Sequence, residues 1–169
     1  MTIIAGNLDF FLSGGASNSD VDASLGGAKS SVEVTDDALN NLFDDVSGAE
    51  HAAGETNYRC IFVKNSSGAD TAYTSKLYIE TNTPGVDSVI TIGLDLTGQG
   101  DTADTVADED TAPDPAVTFT AADGYANGLA IGTLTPGQSY PIWIKRVITA
   151  GATAQALDNV VLKISVDTA

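Results

Sequence analysis

The densest run of side chains able to do chemistry in this chain lies at residues 101–115, DTADTVADEDTAPDP, which holds Asp101, Asp104, Asp108, Glu109, Asp110 and Asp114 and no basic residue. Hard carboxylate oxygens are calcium ligands in kind, but the spacing departs from the Asp-x-Asp-x-Asp-Gly loop closed by a downstream glutamate. A solvated acidic loop is therefore the expectation; were an ion held there, Asp101, Asp104, Asp108 and Asp110 would be its ligands. Asp36, Asp37, Asp44, Asp45 and Glu50 form a second acidic cluster with the same reading. No metal and no cofactor is expected. Paired carboxylates serve glycoside hydrolysis only beside a cleft with aromatic platforms. The single tryptophan, Trp143, lies in a strand beside Lys145 and Arg146, which suits packing under a cationic face.

The remaining reactive types are sparse. One histidine, His51, sits in the polar stretch 48–54 with no nucleophile beside it and reads as an exposed loop residue. One cysteine, Cys60, lies in the most apolar run of the chain and reads as core filling. A single cysteine forms no disulfide within the chain, and one Cys with one His is too few for a Cys/His zinc site. There is no P-loop, no dinucleotide-binding glycine motif and no His-Glu-x-x-His. An enzyme is not expected.

Composition sets the class of scaffold behind these residues. With 23 acidic against 7 basic side chains in 169 residues, the formal charge of −16 disfavours nucleic acid and anionic membrane surfaces, both of which are bound through Lys and Arg. The 43% hydrophobic content is enough for one domain with a core. No stretch approaches the ~20 apolar residues of a membrane span, and the N-terminus lacks a basic region, so no secretory leader is expected.

The elements that must position these residues are strands. From Tyr58 onward, short β-branched and aromatic runs alternate with turn clusters. Both faces of Tyr58–Lys64 are apolar, which predicts a central strand. Further strands are expected at Tyr73–Thr81, Ser88–Leu96, Ala116–Thr120, Gly128–Leu134, Tyr140–Ile148 and Asn159–Val166, with turns at Asn82-Thr83-Pro84-Gly85 and Pro136-Gly137. A strand at Ser30–Val34 brings the count to about eight, the complement of a two-sheet antiparallel β-sandwich, immunoglobulin-like or jelly-roll-like. One short helix is predicted over Thr35–Val46, where Leu39, Leu42, Phe43 and Val46 fall on one face behind the N-cap Thr35. The Gly/Ser-rich residues 1–50 thus read as an extended N-terminal arm with a short helix, and residues 51–169 as the sandwich domain. The arm's apolar cluster, Ile3, Ile4, Leu8, Phe10, Phe11 and Leu12, suits docking on a partner; its alternative use is to cover the protein's own sheet. Deleting residues 1–12 is expected to leave a folded sandwich.

The stretches NLFDDVSG at 41–48, YRCIFVKN at 58–65 and IETNT at 79–83, with LTPGQSYPIWIKR at 134–146 and AGA at 150–152, resemble a family of tailed-bacteriophage virion structural proteins over about residues 25–166. The resemblance implies a non-enzymatic β-sandwich, made in the bacterial host cytoplasm, that decorates the capsid surface as a cement protein. Its implied partner is the major capsid protein lattice, with the N-terminal arm contacting neighbours. A homo-oligomer, a trimer by preference, is implied with it. The alternative is a carbohydrate- or host-receptor-binding module of the phage tail or capsid, with calcium as a conceivable organiser of its loops.

Overall fold

The computed structural model describes residues 3, 5–83, 88–151 and 159–167; Ile4 and the expected turn at Pro84-Gly85 lie outside them. The described residues form strands β1 (Leu8–Leu12), β2 (Gly26–Ala28), β3 (Glu55–Asn65), β4 (Ala72–Thr83), β5 (Ser88–Leu94), β6 (Thr102–Thr105), β7 (Leu129–Leu134), β8 (Ser139–Ile148) and β9 (Asn159–Asp167), with one helix, α1 (Gly48–Ala53). All pairings between them are antiparallel, in a central sheet β1-β3-β8-β5, an outer sheet β7-β4-β9 and a small pair β2-β6. The fold is an all-β sandwich.

Alternation along the central strands builds two cores from one sheet. Ile61 and Val63 of β3, Ile90 and Ile92 of β5, and Ile142 and Ile144 of β8 face the outer sheet, where they meet Leu77 and Ile79 of β4 and Ile131 and Leu134 of β7. The intervening residues Cys60, Phe62 and Trp143 face the opposite way and pack with Phe11, Ala103, Val106 and Val117. A strand apolar on both faces must be covered on both sides, and β3 is. The second cover comes from β2, β6 and the irregular chain through residue 120. Gly93 permits its closest approach: a Cβ there would lie 2.4 Å from Val117 and 2.8 Å from the Thr118 carbonyl.

Some expected elements take other forms. Ser30–Val34 and Ala116–Thr120 make single bridges, Glu33 with Phe11 and Thr120 with Ile92. They nevertheless close the two edges of the central sheet, Val34 donating to the Phe10 carbonyl at 2.9 Å and Thr120 to that of Ile92 at 2.9 Å. Tyr73, placed with Leu77 by simple alternation, is 43% exposed instead, because β4 carries a register shift between Ala72 and Ser75 with Thr74 at φ 45°. Leu96 falls beyond the end of β5 and is exposed. The turn at 135–138 forms as expected, Gln138 donating back to the Thr135 carbonyl at 3.0 Å with Gly137 at φ 82°.

The helix lies elsewhere than predicted. Asp37 and Asn40 adopt φ of 56° and 55°, conformations that short polar side chains tolerate and a helix does not, so residues 35–46 run as successive turns. Helix α1 begins after them at a capping box: Ser47 Oγ accepts the Glu50 amide and Glu50 Oε2 accepts the Ser47 amide at 2.5 Å. His51 is therefore half-buried in a helix rather than exposed in a loop.

Candidate functional site

The face of the central sheet that carries the aliphatic core ends in a polar assembly. Going down β3 on that face, Val63 and Ile61 give way to Arg59 and Asn57, and β8 brings Arg146 opposite Asn57. Arg59 is 1% exposed. Its guanidinium binds Asp22 Oδ1 at 2.8 Å and Glu109 Oε2 at 2.5 Å, so it joins the N-terminal segment to the acidic loop. Arg146 donates to Asn57 Oδ1 from two nitrogens at 3.0–3.1 Å and to the Asp44 carbonyl at 2.8 Å. Phe43 takes both cations, Arg146 at 4.6 Å and Arg59 at 5.5 Å from its ring centroid. Buried guanidinium groups held by several acceptors and a ring face are firmly placed, and here they clamp residues 22–44 onto the sandwich.

Beside this clamp, carboxylate oxygens of Glu55, Glu109 and Asp110 lie within 4.8 Å of one another. Asn57 Nδ2 donates into the group, to Glu55 Oε1 at 2.9 Å and to Asp110 Oδ1 at 3.2 Å. Burial, opposed by the Asn57 bond and assisted by the neighbouring Asp110 and Glu50, holds the Glu55 carboxyl above its ordinary range. Arg59 and the Asn57 amide already supply positive charge and donors here, which is a protein-made substitute for a cation.

A second polar centre sits under the other core. Asp95, just past β5, is 1% exposed and accepts Trp143 Nε1 at 2.6 Å, the Asp104 amide at 3.2 Å, and both the amide and hydroxyl of Thr97 at 2.8 and 2.5 Å. Four donors in place of a counter-ion make this buried charge tolerable. Trp143 is thus core with its one polar atom satisfied. The cationic neighbours in its sequence go elsewhere, Lys145 to Phe119 and Arg146 to Phe43. Cys60 is also core; burial first, and then the Asp95 charge, pushes its thiol well up.

The four carboxylates that would have held an ion in the acidic loop are dispersed. Asp101 accepts Ser139 Oγ, Asp108 accepts Thr111 Oγ1 at 2.5 Å, Asp104 borders Asp95, and only Asp110 belongs to the carboxylate group. The loop is a cover with a solvated outer side: Ala103, Val106 and Pro113 are buried, Asp101, Asp108, Asp110 and Asp114 are exposed, and Asp104 and Glu109 are half-buried. The arm's apolar residues are likewise largely engaged at home. Leu8–Leu12 pair with Ile61–Asn65, Ile3, Phe11 and Leu12 are buried, and Leu8 and Phe10 pack on the aliphatic core. Removing residues 1–12 therefore takes a whole strand from the central sheet.

Six of the seven basic side chains stack on aromatic rings, Lys29 and Lys64 both on Phe11, and the seventh, Lys163, pairs with Glu80 at 2.5 Å. Acidic side chains consequently dominate the remaining charged surface. Among the described residues a groove of about 140 Å³ lies between residues 19–21, residues 35–41 and the segment that edges β1. Sequence reasoning missed the clamp and the groove. The Ser47-x-x-Glu50 signature could have located the helix, whereas nothing local in the sequence pairs Arg59 with Asp22 or Arg146 with Asp44. No protein-family model, no curated protein and no solved structure matches the chain.

Proposed function

We propose that this protein is a non-enzymatic virion structural protein that decorates and stabilises a phage capsid by binding the major capsid protein lattice. The observation that carries this reading is the construction of its first fifty residues. Arg59, Arg146 and Phe43 fix them as a formed outer layer on a filled sandwich, and that layer turns Leu39, 84% exposed, and Val46, 37% exposed, outward among acidic turns. Apolar side chains displayed on a firmly held acidic surface suit contact with another protein. The contact with neighbours then falls to residues 13–47, since Phe11 and Leu12 serve the protein's own core.

The test is co-sedimentation of the full chain with capsids that lack it, comparing wild type with Leu39→Ser. Saturable attachment by the wild type, weakened in the variant, is the expected result. Failure of the wild type to attach overturns the reading. A second reading, a glycan-binding module, draws on Tyr125, half exposed on the outer sheet with Lys76 at 4.8 Å from its ring. Retention on a glycan array, lost in Tyr125→Ala, would favour that reading instead.

A further inference from the structure

A groove runs beside β1, lined by residues of 19–21 and 32–41. Its apolar wall comes from Leu12, Val21, Val32, Val34 and Ala38, and no basic residue lines it. Asp20 flanks Val21, and Asp36 and Asp37 precede Ala38, all of them exposed. At about 140 Å³ it falls below the ~300 Å³ where small-molecule clefts begin, and it suits one branched or aromatic side chain. Lys29, the one basic residue of the first fifty, stands over Phe11 at 4.9 Å and is not among the residues that line the groove. An acidic second copy would be repelled here; a basic segment would be drawn in.

We infer that this groove docks a partner protein through one apolar side chain flanked by lysine or arginine, the apolar group entering between Val21, Val34 and Ala38 and the cations meeting Asp20, Asp36 and Asp37. The inference rests on the capsid reading only for the identity of the protein that carries the segment. Leu39 extends the apolar surface from the position after Ala38, so the contact continues beyond the groove.

Short synthetic peptides test it on the full chain by amide chemical-shift mapping. A Lys/Arg-flanked leucine peptide is expected to shift the amides of Val21, Val32, Val34 and Ala38. Replacing its leucine by serine is expected to weaken binding about ten- to hundredfold, the contribution of one buried leucine side chain. A Glu-flanked peptide is expected not to bind. Ala38→Phe, which fills the groove from an exposed position, removes the site, and Asp36→Lys weakens the basic peptide independently should Ala38→Phe fail to fold. Equal binding of the leucine and serine peptides, or shifts confined to residues 101–115, overturns the inference. Peptide binding without capsid attachment retires the capsid reading alone, and capsid attachment without peptide binding retires the groove alone.

Discussion

The two faces of the central sheet are built from alternate residues of the same strands, yet they are covered by different means. On one face, Ile61, Ile142 and Ile144 meet a second sheet whose backbone groups are paired in ladders, so burial of aliphatic area carries the contact. On the other, Cys60, Phe62 and Trp143 meet irregular chain whose polar groups need individual partners. Those partners are specific: Ser13 Oγ donates to the Cys60 carbonyl at 2.7 Å, the Cys60 amide donates to that of Ser24 at 2.8 Å, and the Tyr58 amide to that of Glu109 at 2.7 Å. A sheet covers a sheet by periodicity, whereas an irregular layer covers one by separate hydrogen bonds and ion pairs.

The largest expected effect contrasts adjacent residues of β8. Trp143→Ala should cost about 3–5 kcal/mol in urea denaturation, because it opens a cavity and also removes a donor from buried Asp95, while Ile144→Val on the opposite face should cost about 0.5–1.5 kcal/mol. Equal costs would erase the distinction between the faces.

Arg59→Met combined with Glu109→Gln sharpens it further. Exchange of both partners of a buried ion pair for uncharged side chains of similar length is often close to neutral in global stability, whereas loss of one partner alone leaves a buried charge uncompensated. The variant is therefore expected to keep its unfolding midpoint while amide exchange accelerates in residues 20–25 and 106–111, the two segments Arg59 joins. Uniform acceleration across the sandwich would show that the clamp belongs to the global core.

The smallest effect is on pH dependence. Glu55 has a raised carboxyl in the folded protein, so its protonated form is favoured by folding; that contribution is fully present below the ordinary value of 4.5 and is lost as pH rises through the raised folded value. Glu50 works oppositely: its bonds to the Ser47 amide and hydroxyl lower its carboxyl, giving stability above 4.5 that is lost as pH falls through the lowered value. Asp110→Asn keeps an acceptor for Asn57 and removes a charge beside Glu55. The variant should be more stable than wild type near neutral pH, and the gap should close on acidification toward 4.5. A gap independent of pH would separate Glu55 from the acidic loop.

Alternation alone determined that the chain is all-β and that β3 is central with both faces buried. That information is local, because side-chain burial repeats every second residue whatever the strand's neighbours are. The turn at Pro136-Gly137 and the fate of Cys60 were legible for the same reason. Tertiary structure decided the rest: that Leu8–Leu12 forms an edge strand at home, that the acidic run covers a core, and that Arg59 and Arg146 are buried around Phe43. These outcomes depend on partners far apart in the chain, Arg59 with Asp22 and Arg146 with Asp44, 37 and 102 residues away. Charge pairing and edge coverage have no period, so only the chain path that brings those residues together could fix them.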